Sequence, residues 1–175
     1  MKRFSITLAA FALLAIACEP SGPTSPSSSM TTGTPLFSNN GNGVVHRATV
    51  GGNDVDFAEN TDANFSLVAI EHGDGSVSGQ WSDQFGQGEG GIHVAVNCLR
   101  VIGNNAWVSG TITSGNVGGV DVTGSPAITR VADLGTSKKD PPDAISYSFI
   151  GDPRPCTVTP NLPLFPMTDG QVKVD

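Results

Sequence analysis

Cysteine, tryptophan and tyrosine are scarce in this sequence: three, two and one among 175 residues. No two cysteines form a C-x-x-C pair and no histidine lies close to Cys98 or Cys156 in sequence, which argues against a cysteine-built metal site. Basic residues are also few, 9 Lys plus Arg against 16 Asp plus Glu, for a net charge of -7. Two of those bases are Lys2 and Arg3, so the chain from Cys18 onward holds 7 against 16, a net -9. Such a balance excludes a nucleic-acid backbone as the expected partner. From Leu36 onward, no stretch of a dozen residues keeps a 3.6-residue apolar period free of Gly or Pro. With 22 Gly and 12 Pro, a helical bundle is excluded as the expected fold. The single long apolar run, Ile6 to Ala17, is about a dozen residues, short of the roughly 20 that a spanning helix needs.

That run has a different use. Lys2 and Arg3, the apolar stretch and the small residues before Cys18 have the layout of a secretory signal over residues 1–17. Ala15-Ile16-Ala17-Cys18 resembles the bacterial lipobox, with Ala15 where Leu is more usual. The resemblance implies that Cys18 becomes the lipid-modified first residue, so that the membrane is met through an acyl anchor alone. In that class Glu19, rather than Asp, after the cysteine leaves the outer membrane open as a destination. Residues 18–35 are rich in Ser, Pro and Thr and carry one large apolar residue, Met30. A segment of that composition cannot bury enough surface to offset its ordering entropy, and it is expected to be a disordered tether.

About 140 residues remain over 36–175, enough for one domain with a real core. Their pattern is short and alternating, with turn residues between runs. Val44 to Val50 leads into Gly51-Gly52-Asn53, read as a turn, with Val55 to Ala58 as its return strand. Asn64 to His72 puts Phe65, Leu67 and Ala69 on one face, and His72-Gly73-Asp74-Gly75-Ser76 reads as a tight hairpin. Val77 to Phe85 follows. Ile92, Val94, Val96 and Cys98 then share a face, and a hairpin through Gly103-Asn104-Asn105 returns as Ala106 to Thr113. Asn116–Thr123, Ala127–Ala132 and Ala144–Ile150 are further strands, Thr136 to Asp143 is a surface loop, and Val172 to Val174 is an edge strand after a Pro-rich tail. The expected fold is all-β, an antiparallel β-sandwich or small up-and-down β-barrel of 7–10 strands.

In an exported domain, Cys98 and Cys156 are an even pair, expected to form a disulfide enclosing 57 residues. His46, His72 and His93 lie on or beside different strands, without zinc-site spacing. Asp54, Asp56, Glu59 and Asn60 lack the order of a calcium loop, and Asp133, Asp140 and Asp143 sit beside Lys138 and Lys139. No metal or cofactor is expected. Ser109 sits in a strand rather than in a G-x-S-x-G elbow, and the Gly86–Gly91 run is followed by no lysine or helix start. Trp81, Trp107 and Tyr147 are the candidate binding residues: on one exposed face they would make a platform, and otherwise they belong to the core.

The stretch from Val96 to Gly110, with its C-L-x-V-x-G-N-x-A hairpin, resembles a segment of uncharacterised exported bacterial β-domain proteins. Asp133-Leu134-Gly135, Asp143-Ala144-Ile145-Ser146 and Cys156 match the later parts, so the resemblance covers roughly residues 60–156. It implies an exported β-domain and no activity. The expected function is a non-catalytic, surface-exposed lipoprotein domain with a structural or binding role, its ligand a protein, a glycan or a small hydrophobic molecule. A lipocalin-like carrier is the alternative. A secreted hydrolase stands third and requires His72 or His93 beside a carboxylate and a nucleophile.

Overall fold

The computed structural model describes residues 43–54, 63–137 and 139–175. The signal segment, Cys18, the tether, the expected return strand Val55–Ala58 and Lys138 lie outside them, as do Asp56, Glu59 and Asn60 of the calcium-like run. Eleven strands run along the described residues: β1 (Val44–Asp54), β2 (Ala63–His72), β3 (Val77–Gln84), β4 (Gly90–Ile102), β5 (Asn105–Val117), β6 (Val120–Asp121), β7 (Pro126–Ala132), β8 (Ala144–Ile145), β9 (Phe149–Ile150), β10 (Phe165–Pro166) and β11 (Asp169–Val174). All pairings are antiparallel and belong to one sheet, ordered β10-β8-β7-β5-β4-β3-β2-β1-β11, with β6 on β5 and β9 on β7. The sheet is strongly curled into a half-barrel. The expected all-β class holds, and a single curled sheet replaces the two-sheet alternative.

Three details depart from expectation. The count exceeds ten because Ala144–Ile150 breaks into two two-residue strands and Phe165–Pro166 adds another. Asn116–Thr123 is the end of β5 turning back as β6 rather than one strand. Gly51-Gly52-Asn53 is no turn: it continues β1, pairing with Ser66, Phe65 and Asn64 on one side and with Gln171, Gly170 and Asp169 on the other. The glycines there serve close approach. A Cβ on Gly52 would strike the carbonyl oxygen of Asp169, and one on Gly170 that of Gly51.

The inner face holds the core: Ala48 and Val50, Phe65, Leu67 and Ala69, Trp81, Ile92, Val94 and Val96, with Ile112, Val131, Ile145 and Val172. Each buried aliphatic or aromatic side chain contributes about 2 kcal/mol of transfer free energy. The His72–Ser76 hairpin forms as expected, with His72 N–H on the Ser76 carbonyl at 2.9 Å and Gly75 at φ +81°. Asp74 accepts from the Ser76 hydroxyl at 2.6 Å and its amide at 2.9 Å. These bonds hold the Asp74 carboxyl below its usual range.

Alternation breaks once within β4, and the break matters. Val96 faces Gly110 while Cys98 faces Ser109, so Asn97 is an extra residue in the ladder. Past this bulge the faces exchange. Leu99 joins the inner core, and Cys98 turns outward to pack with Trp107, Ile128, Cys156 and Leu162. Cys98 therefore does not share the face of Ile92, Val94 and Val96. The Cys98–Cys156 disulfide forms on the outer side, with the two Cα atoms 5.8 Å apart.

The curl closes through side chains. Gly170, Val172 and Val174 turn their N–H groups away from β1. Val172 N–H donates to Asp143 Oδ2 at 2.6 Å, Val174 N–H to Asp133 Oδ2 at 3.3 Å and Gly170 N–H to Asp169 Oδ1 at 2.8 Å. Carboxylate oxygens thus stand where a neighbouring strand would present carbonyls, which blunts an otherwise open edge. Asp143 is buried, and its Oδ1 also accepts from Leu134 N–H at 2.8 Å.

Candidate functional site

The outer face divides into two halves. Over β4, β5 and β7 it is covered by the Pro-rich tail. Trp107 Nε1 donates to the Pro160 carbonyl at 2.9 Å, and Arg130 lies 4.9 Å from the Trp107 ring centroid. The same guanidinium donates from Nε and Nη2 to Asn105 Oδ1 at 3.1 and 2.8 Å, and from Nη1 to the Leu162 carbonyl at 3.3 Å. Cys156 N–H donates to Ser109 Oγ at 3.3 Å. Trp107 does form a platform, and its occupant is the chain's own tail.

Over β2, β3 and β4 the outer face is open. Ser66, Ser82 and His93 stand in one cross-strand row, with Val68, Gln80 and Ala95 in the next. Small Ala95 leaves a notch between longer neighbours, a cavity of about 310 Å³ lined by Ser66, Gln80, Ser82, His93 and Thr113 among others. The hydroxyls of Ser66 and Ser82 bond to each other at 2.7 Å, and Thr113 Oγ1 donates to the His93 carbonyl at 3.1 Å. The lining offers hydroxyls, one amide and one imidazole, and no carboxylate, Lys or Arg. A second cavity of about 390 Å³ adjoins it through His93 and is lined by Asp83, Gln84, Phe85, Gly90 and Asn116 with their neighbours. The first is a concave patch of hydrogen-bonding capacity suited to an uncharged polar ligand.

The candidate aromatics do not come together. Trp81 is 1% exposed on the inner face, Trp107 is 8% exposed under the tail, and the half-buried Tyr147 ring lies 4.5 Å from that of Phe165. The histidines also stay apart by element, His46 on β1, His72 on β2 and His93 on β4. Among the described residues no group of three or more His, Cys, Asp or Glu side chains is placed to hold a metal ion. Asp133 and Asp143 serve β11, while Asp140 Oδ2 accepts from Ser137 N–H at 2.9 Å. His72 Nε2 does lie 2.9 Å from Ser78 Oγ, a base beside a hydroxyl. The carboxylate at that turn, Asp74, is engaged by Ser76.

One residue escaped the sequence reading. Asp83 follows Val77, Gly79 and Trp81 on the inward side of β3 and faces Phe65 and Ile92 across the ladders. It is 3% exposed, and its Oδ1 has no hydrogen-bond partner among the described residues. The Ser148 hydroxyl bonds its carboxylate and also accepts from Trp81 Nε1 at 3.3 Å. Burial raises the Asp83 carboxyl to about 6, with Ser148 opposing the rise. The strand parity was the available signal: a carboxylate in step with Trp81 must point into the core. Compared with known proteins, the chain matches no family model, no curated protein and no solved structure.

Proposed function

We propose that this chain is a non-catalytic binding domain, exported and held at the envelope by acylated Cys18, whose open outer face takes an uncharged, hydroxyl-rich ligand of the glycan type. The observation that carries the reading is the notch at Ala95, bordered by Ser66, Gln80, Ser82, His93 and Thr113 without any formal charge from Asp, Glu, Lys or Arg. A net charge of -7 further disfavours anionic ligands. The inner face, which a lipocalin-like carrier would need as its lumen, is filled by Phe65, Leu67, Trp81 and Ile92.

Binding is tested with the full chain in detergent against a panel of neutral oligosaccharides, followed by titration calorimetry on the best of them. Gln80→Ala is expected to weaken that interaction roughly tenfold, the equivalent of about 1.4 kcal/mol for a lost hydrogen bond. Arg154→Ala, remote on the Asp152 ion pair, should leave it unchanged. Equal affinity for wild type and Gln80→Ala would refute the site. The anchor is tested separately by intact mass of membrane-extracted protein. An acyl increment is expected in wild type and absent from Cys18→Ala; wild-type mass without the increment removes the anchor.

A further inference from the structure

Asp83 and Trp81 project inward from β3, and Ser148 meets both from the segment between β8 and β9. The contact joins parts of the chain 67 residues apart. The two walls it connects differ in strength. β3 is laddered to β2 along Phe65–Glu71 and to β4 along Gly91–Ala95. Tyr147 and Ser148 belong to neither β8 nor β9, each of which is only two residues long. Any demand by Asp83 for water is therefore met most cheaply by moving the 147–148 segment, because shifting β3 would break two ladders.

We propose that Asp83 is a proton-operated catch on this segment: when neutral it holds Ser148 against β3, and when ionised it releases residues 147–148 and opens the interior beside Trp81. The geometry sets the sense. An anionic Asp83 would leave Oδ1 charged, buried and unpartnered among Phe65, Trp81 and Ile92, an arrangement far costlier than a neutral acid in the same place. No counter-charge among the described residues relieves it. Opposite it on β2 and β4 stand Phe65 and Ile92, neither of which titrates. The 147–148 segment offers Ser148 and the Tyr147 phenol, whose ring packs on Phe165. Burial and the Ser148 bond are the influences acting on Asp83, and no charged side chain is among them.

The direction follows from linkage. The folded-state carboxyl, at about 6, lies above the usual 3.8. The closed form therefore holds its proton about a hundredfold more tightly than an exposed aspartate. Its contribution is complete below 3.8 and is lost as pH rises through about 6.

The experiment uses the full chain in detergent and two readouts between pH 4.5 and 7.5. Carbon-detected NMR of the Asp83 carboxyl should titrate near 6, and Ser148→Ala, which removes the opposing bond, should move the midpoint higher. Hydrogen exchange of the 146–150 amides, corrected for the intrinsic pH dependence, should lose protection at least tenfold across the same midpoint. Asp83→Asn should keep protection high throughout. A midpoint below 4.5 overturns the proposal, as does flat protection in wild type or an unaltered pH response in Asp83→Asn. Should Asp83→Asn fail to fold, the two wild-type readouts and the Ser148→Ala shift decide it.

Discussion

Replacing Cys98 and Cys156 together by serine is expected to lower the unfolding free energy by about 4 kcal/mol, from the chain entropy of the loop they close. The two residues are 58 apart in sequence, and the cross-link forbids the unfolded chain most of the conformations such a loop would otherwise sample. The native state loses something too. Cys156 is fully buried with Trp107, Ile128 and Leu162, and a serine hydroxyl there would need a new partner. Urea unfolding followed by tryptophan fluorescence tests this. The midpoint should fall with little change in slope, and Trp107 should redden first as the tail leaves it. A loss below about 1 kcal/mol would mean that the tail's other bonds, from Trp107 and Arg130 to the carbonyls of Pro160 and Leu162, hold it without help.

Asp143→Ala is expected to cost about 3 kcal/mol, because it strands two donors at once. Val172 N–H and Leu134 N–H both end on its carboxylate, and an unsatisfied buried donor costs about 1 to 3 kcal/mol. Asp143→Asn should cost less than Asp143→Ala: its amide oxygen can still accept one of the two bonds, while the NH₂ faces the other donor. Guanidinium unfolding of the three proteins gives the order wild type, Asn, Ala. The amide of Val172 should exchange faster in both variants. Stability of Asp143→Ala within 1 kcal/mol of wild type would show that the edge of β11 is held by its pairing with β1 alone.

The β class was legible because β2 and the first part of β4, through Val96, alternate strictly. Phe65, Leu67 and Ala69, and Ile92, Val94 and Val96, read straight off the chain onto the inner face. The disulfide was legible from cysteine parity. The side of the sheet on which it lies was not, because one inserted residue at Asn97 reverses every position after it, and a bulge carries little local signature. Gly51-Gly52-Asn53 misled for a related reason. Its glycines look like turn chemistry, but they answer a close approach by β11 from 115 or more residues away, which no local window contains. The open polar notch was hidden because Ser, Gln and Thr in strands read as ordinary solvent-facing residues. Only the cross-strand register lines them up. Asp83 was within reach, since its parity with Trp81 is plain in the sequence. What could not be read was the distant Ser148 that meets it.

The pairing of β1 with β11 also fixes when the domain can be finished. The second-longest ladder partner of β1 is supplied by residues 169–174, so a nascent chain presents β1 with one flank bare until that segment has been made. Such high contact order makes closure slow, and until closure that flank is a template for intermolecular strand addition. The domain's vulnerability to aggregation is thus concentrated in the interval before its last strand docks.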